Sequence, residues 1–113
     1  MIRSGIVLTL AVALVFALAT PALASGPPLG KYGCTIGSGY AGNLRILSNH
    51  RYRLNRSKIG RFRVRAGRKL TFPSGVWHGL FKGRWYKTSD GKWEIALTSL
   101  ESGYESSYCD KES

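Results

Sequence analysis

Residues 51–65 of the chain read RYRLNRSKIGRFRVR, and basic and apolar residues alternate in both halves of this stretch. A period of two is typical of a β-strand that buries one face and exposes the other. Four apolar side chains are therefore expected to point inward, those of Tyr52, Leu54, Phe62 and Val64. The arginine side chains between them are expected to share the outer face of the sheet.

Similar short runs continue on both sides of this stretch, separated by turns rich in Gly, Ser and Asn. The sequence after residue 24 has no helical stripe of apolar residues. Eight strands are predicted, at 32–36, 44–46, 52–54, 62–64, 70–72, 79–87, 92–98 and 104–109. Short, evenly spaced strands without a helix favour an all-β fold, a small antiparallel meander that closes as an up-and-down barrel. A two-sheet sandwich is the alternative.

The hairpin formed by the strands 79–87 and 92–98 has a register that the sequence predicts. Residues 89–91, Ser-Asp-Gly, suit a three-residue loop whose Gly adopts the left-handed conformation. In this register Trp85 lies opposite Ile95, and the apolar residues of both strands share one face. A two-residue Asp-Gly turn would instead place polar residues on that face.

The first 24 residues have the features of a secretory signal peptide: a basic start, an apolar run over 6–19 and the small-x-small sequence Ala-Leu-Ala at 22–24. Cleavage is expected after Ala24. Because the apolar run is shorter than the ~20 residues of a membrane span, we expect no transmembrane segment in the mature chain and a secreted or periplasmic location. The predicted organisation is signal peptide 1–24, leader 25–30 and a single β-barrel-like domain 31–113.

Cys34 and Cys109 are the only cysteines, and they lie near opposite ends of the mature chain. Export places them in an oxidising compartment, and a small domain with few apolar residues gains from a covalent cross-link. We therefore predict a disulfide rather than two unpaired buried thiols. Since the bond would close a loop of 75 residues, it is expected to stabilise the fold by about 4 kcal/mol.

Charge is unevenly distributed along the chain, which carries 17 Lys and Arg against 6 Asp and Glu. Residues 45–69 hold ten of the basic residues and no acid, whereas all six acids lie in 90–112. The candidate anion-binding residues are Arg51, Arg53, Arg61, Arg63 and Arg65, with Arg56, Lys58, Arg68 and Lys69 at the ends of this face.

Hairpin pairing of residues 51–54 with 61–65 would place like charges opposite each other, for instance Arg51 with Arg65 and Arg53 with Arg63. Such pairs destabilise a sheet, so we infer that an anionic partner binds this face. Arginine suits phosphate and carboxylate groups, so the candidate partners are an envelope glycolipid, an acidic polysaccharide or a nucleic acid. The alternative is a solvated face that only keeps the protein soluble.

The segment after Pro73 is a candidate contact loop, formed by Ser74, Gly75, Trp77 and His78. Aromatic rings can stack on a bound partner, and Trp77 is the best candidate for an exposed ring because Tyr52 and Phe62 are expected to point inward.

No enzyme activity is expected. His50 and His78, with the many cations, match the outline of a small phosphodiester hydrolase, but neither histidine is flanked by a carboxylate. No cofactor or metal is predicted, because the spacings of the two cysteines and two histidines fit no zinc pattern.

A series of short motifs runs through the mature chain: Gly30-Lys-Tyr-Gly-Cys34, Leu44-Arg-Ile46, Tyr52, Gly60-Arg-Phe62, Leu70-Thr-Phe72 with Ser74-Gly75, Gly83-Arg-Trp85, Ile95-Ala-Leu97 and Tyr108-Cys109. Their order resembles that of a family of small exported bacterial proteins without an assigned activity. The resemblance implies a meander barrel whose first strand is joined to the end of the chain by a disulfide, and it implies no catalytic residues. The arginine density departs from the family pattern.

A looser resemblance is to the periplasmic inhibitors of animal-type lysozyme. Ser74-Gly75 lies roughly where their inhibitory loop carries Ser-x-x-Gly. This resemblance implies, as the alternative function, a secreted or periplasmic protein inhibitor that acts through the loop from Ser74 to Trp77. Because such lysozymes are strongly basic, electrostatic repulsion favours another, acidic, secreted protein as the target.

Overall fold

The computed structural model describes residues 26–37 and 39–112, and the predicted signal peptide with its cleavage site lies outside them. Within the described residues the fold is all-β, as predicted, and contains no helix. The strands are β1 (Gly30–Ile36), β2 (Gly39–Leu47), β3 (Arg51–Leu54), β4 (Gly60–Arg61), β5 (Arg63–Arg65), β6 (Lys69–Thr71), β7 (Phe81–Lys87), β8 (Trp93–Ser99) and β9 (Glu105–Lys111).

All nine strands belong to one antiparallel sheet, in the order β4-β3-β2-β1-β9-β8-β7-β6-β5. The two edge strands of this order, β4 and β5, are separated in sequence by Phe62 alone. The chain therefore passes directly from one edge of the sheet to the other, and the sheet curves into a nearly closed barrel. The sandwich alternative is not formed, because there is no second sheet in the described part of the chain.

The predicted strand 62–64 is divided in two, which is why the structure has nine strands rather than eight. Gly60 and Arg61 pair with β3, whereas residues 63–65 pair with β6. Between them, the N–H of Phe62 donates to the carbonyl of His50 at 3.0 Å, and the Phe62 side chain is buried. Residues 60–65 thus supply both edge strands of the sheet.

The alternation of apolar residues correctly predicts the inner face of the barrel. Tyr52 and Phe62 are buried, and Leu54 and Val64 are half-buried and pack against the same core. The core is otherwise formed by one set of buried side chains drawn from most strands: Tyr32, Cys34, Leu44, Ile46, Leu70, Phe72, Trp77, Trp85, Ile95, Leu97 and Cys109.

The register of the β7–β8 hairpin is confirmed. Trp85 lies opposite Ile95, and Gly83 lies opposite Leu97. The turn contains Gly91 at a φ of 87°, in the left-handed region where a glycine is favoured because it lacks a Cβ. The local sequence was sufficient to predict this register, because a short turn determines which residues of the two strands pair.

The predicted disulfide is confirmed. Cys34 on β1 and Cys109 on β9 lie directly opposite each other, are fully buried and are bonded. The bond joins the first and last strands, whose pairing spans the largest separation in sequence of any two neighbouring strands. A disulfide is compatible with an extracellular or periplasmic location.

Candidate functional site

Three arginines lie in a row on the outer surface where the barrel closes. Arg61 on β4 and Arg63 and Arg65 on β5 are all exposed, while Phe62 and Val64 between them face the core. We call Arg61, Arg63 and Arg65 the arginine strip. Its side chains point outward because pleating sends alternate residues to opposite faces, as the sequence predicts.

Like charges lie opposite each other along these strands, although the partners differ from those predicted. Arg51 faces Arg61, and Arg65 faces Lys69. The expected pairs of Arg51 with Arg65 and Arg53 with Arg63 are wrong. The chain crosses to the other edge of the sheet at Phe62, so residues 63–65 pair with β6 and never meet β3.

Two acidic residues lie on strands far from the arginine strip. Glu94 on β8 and Asp110 on β9 are cross-strand neighbours, and β9 is central in the strand order, farthest from the edges formed by β4 and β5. Burial raises the pKa of Glu94, and the charge of Asp110 raises it further. These two carboxylates therefore lie on strands remote from the edges that carry the arginine strip.

Ion pairs between described residues leave the arginine strip unneutralised. Lys31 pairs with Glu112 at 3.8 Å, and Arg84 pairs with Glu105 at 2.7 Å. The hydrogen bond from the Arg84 guanidinium holds the pKa of Glu105 below its usual value. In residues 26–37 and 39–112, no carboxylate lies within ion-pair distance of the strip.

Arg51 and Arg53 bind neighbouring backbone carbonyls, which the sequence did not reveal. The Arg51 Nε donates to Ser48 O at 3.0 Å, and the Arg53 Nε donates to Ser57 O at 2.9 Å. Both side chains are half-buried. They hold the turns on either side of β3, so they are less available to a partner than the strip is.

The four predicted residues at the ends of the face lie in turns or beside them. Arg56 and Lys58 are exposed in the turn between β3 and β4, and Lys69 is exposed at the start of β6. The guanidinium of Arg68 lies 5.4 Å from the centre of the Trp93 ring, a cation–π distance, so Trp93 already engages it.

Arg45 extends the basic surface and was missed as a site residue. It is exposed on β2 and faces Arg53 on one side and Lys31 on the other. A shallow groove lined by Lys31, Arg45 and Arg56 results. The sequence did contain a signal for Arg45, because Leu44-Arg45-Ile46 shows the same alternation as residues 51–65. Only the strand pairing, however, shows that Arg45 lies beside Lys31 and Arg53.

Trp77 is buried, so its interpretation as an exposed ring is wrong. Its exposed fraction is 1%, and its ring stacks on Tyr52 with centroids 5.3 Å apart. The Tyr52 hydroxyl donates to Ser74 O at 3.0 Å and accepts from the Trp77 N–H at 2.9 Å. These bonds fold the loop back over the barrel end, where Ser74 and His78 remain exposed.

The two histidines make different contacts. The His78 Nδ1 lies 3.0 Å from Phe72 O, and the His50 ring packs on Phe62 with centroids 5.2 Å apart. Among the described residues, no three His, Cys, Asp or Glu side chains are grouped as metal ligands would be. In the same residues, no helix has the length and apolar character needed to cross a bilayer.

Comparisons with known proteins give no matching family, no matching curated protein and no matching solved structure. The two resemblances noted in the sequence therefore stay predictions, and the function is argued from the geometry of the surface alone.

Proposed function

We propose that this protein is an exported, non-catalytic binding module that holds an anionic partner on the arginine strip. The observation that carries the proposal is the state of Arg61, Arg63 and Arg65: all three are exposed, and no described carboxylate pairs with them. Candidate partners are an envelope glycolipid, an acidic polysaccharide and a nucleic acid.

The energetics of the sheet support a partner. Arg61 and Arg65 each face another cation across the ladder, an arrangement that destabilises a sheet by up to about 1 kcal/mol per pair. A bound polyanion would place negative charge between these side chains, so that attraction to the polyanion would replace the repulsion between the two cations. The planar guanidinium group also forms paired hydrogen bonds with phosphate or carboxylate oxygens.

The test is a salt titration of binding to heparin and to a short DNA duplex, with the double variant Arg61→Gln/Arg63→Gln. Binding by the native protein should weaken steeply as salt rises, and the variant should lower the slope of log K against log salt by about 2, since two charge contacts are lost.

The matched control is Lys82→Gln/Lys92→Gln, which removes the same charge from β7 and the β7–β8 turn, where both residues are exposed. The control should leave the slope within about 0.5 of the native value. An equal decrease of the slope in both variants would contradict a localised site, and it would show that binding depends only on the net charge of the protein.

A protein inhibitor acting through the loop from Ser74 to Trp77 is the second candidate function. The observation in its favour is the fixed geometry of this loop, since the Tyr52 hydroxyl binds both its ends. An ordered loop loses little conformational entropy on binding. Tight one-to-one binding to a secreted protein, insensitive to salt, would favour this candidate over the first.

A further inference from the structure

Aliphatic side chains are exposed together at one end of the barrel, where the β3–β4, β6–β7 and β8–β9 loops meet. We call Ile59, Val76, Leu80 and Leu100 the apolar tip; their exposed fractions are 49%, 39%, 53% and 51%. Strands that alternate in direction bring these three loops to the same end. Clustered exposed aliphatic residues mark an interaction surface, whereas scattered ones do not.

The residues of the tip form two pairs, one from the β3–β4 and β6–β7 loops and one from the β6–β7 and β8–β9 loops. Ile59 and Val76 line one groove with Lys58, and the N–H of Leu100 donates to Leu80 O at 2.9 Å. Beneath the groove, Gly60 and Gly75 approach so closely that a Cβ on Gly60 would lie 2.5 Å from the Cα of Gly75. This close backbone packing positions Ile59 and Val76 next to each other.

The tip lies directly beside the arginine strip. The backbone N–H of Arg61 donates to the Ser74 Oγ at 3.0 Å, and Ser74 lies two residues before Val76 in the chain. Arg56 and Lys58 add charge from the β3–β4 loop. Glu101, beside Leu100, is the one acid of the described residues in these loops.

We infer that the partner of the strip is an anionic lipid bilayer, with the apolar tip inserted among the acyl chains and the arginines bound to headgroup phosphates; this inference rests on the proposed function. A polysaccharide or nucleic acid would satisfy the arginines but would leave the aliphatic side chains in water. Among the three candidate partners of the strip, a lipid surface alone offers negative charge and, a few ångströms deeper, an apolar medium. A second copy of the chain is disfavoured because it would bring two cationic strips together.

The experiment measures co-sedimentation of the protein, expressed from its full sequence, with phosphatidylcholine vesicles that do or do not contain phosphatidylglycerol. The test variant is Ile59→Ser/Val76→Ser. The control is Leu29→Ser, because Leu29 is exposed at 58% just before β1, at the opposite end of the barrel. Both sets of residues are exposed, so folding should be unchanged.

The native protein should bind vesicles that contain phosphatidylglycerol, and it should bind vesicles of phosphatidylcholine alone only weakly. The test variant should lose about tenfold in partition coefficient, and the control should change it by less than about twofold. Heparin binding by the test variant should equal that of the native protein, because the arginine strip is intact.

Each opposing result has a distinct meaning. Native binding to heparin or DNA without binding to vesicles would overturn the membrane inference and leave the proposed function standing. Vesicle binding that the Ile59→Ser/Val76→Ser change does not weaken would also overturn the inference. A dimer in sedimentation velocity that this variant abolishes would make the tip an interface between copies. Failure to bind heparin, DNA and vesicles alike would overturn the proposed function itself.

Discussion

Tyr52 connects the inner face of the barrel with the loop above it. Its ring is buried against Phe72 and Trp77, and its hydroxyl binds the backbone at Ser74 and Trp77. Burial raises the pKa of this hydroxyl, although the hydrogen bond from the Trp77 backbone opposes the rise. The hydroxyl therefore stays protonated across the physiological range, and it can keep donating to Ser74. One inward side chain thus determines where the candidate contact loop lies.

Replacing Gly75 by Ala should destabilise the protein by about 2–4 kcal/mol, because two costs add. Gly75 has a φ of 96°, and an added Cβ would lie 2.5 Å from the Tyr52 hydroxyl and 2.7 Å from the Cα of Gly60. Thermal and urea unfolding measure the loss. The control is Gly79→Ala, where φ is 78° and a Cβ would meet nothing within 4 Å. Equal losses at both positions would show that the backbone conformation alone, and not the close approach, is responsible.

At the scale of elements, the division of one predicted strand into β4 and β5 decides which cations meet. The sequence of residues 60–65 shows only alternation, which is the same for one strand and for two. Whether residues 60–65 form one strand or two depends on which other strands they pair with. Gly60 and Arg61 pair with β3, whereas residues 63–65 pair with β6. The β7–β8 hairpin was predictable for the opposite reason, since both of its strands flank one short turn.

Replacing Arg65 by Glu should stabilise the fold while it weakens anion binding. Arg65 faces Lys69 across the β5–β6 ladder, so a glutamate would turn a repulsive pair into an attractive one worth about 0.5–1 kcal/mol. Chemical denaturation and heparin affinity are the two measurements. Arg63→Glu is the control, because Arg63 faces Thr71 and should show the loss of binding with less gain in stability. A loss of stability in Arg65→Glu would contradict the view that these cations are retained at a cost to the sheet.

At the scale of the whole molecule, the disulfide joins the two strands in the middle of the sheet order. Because β1 and β9 come from opposite ends of the described chain, their pairing depends on closing the longest loop in the fold. A covalent bond between Cys34 and Cys109 removes much of that entropic cost from folding.

Reduction of the disulfide should lower the free energy of unfolding by about 4 kcal/mol, as expected for a closed loop of 75 residues. Unfolding in urea with and without a reductant measures the difference. The double variant Cys34→Ala/Cys109→Ala is the control, and its stability should not respond to the reductant. A reduced native protein as stable as the oxidised one would show that β1–β9 pairing needs no cross-link.

The sequence by itself determined the fold class, the inner and outer faces of the strands, the β7–β8 register and the disulfide. These features follow from local periodicity, from one short turn and from the presence of only two cysteines. Tertiary structure alone decided three others: the burial of Trp77, the use of Arg51 and Arg53 to hold turns, and the meeting of the apolar tip with the arginine strip. The burial of Trp77 and the meeting of the tip with the strip depend on contacts between segments far apart in the chain, which leave no local pattern in the sequence. The arginine contacts span only three or four residues, but they depend on how the turns beside β3 fold, which the alternation of residues does not specify.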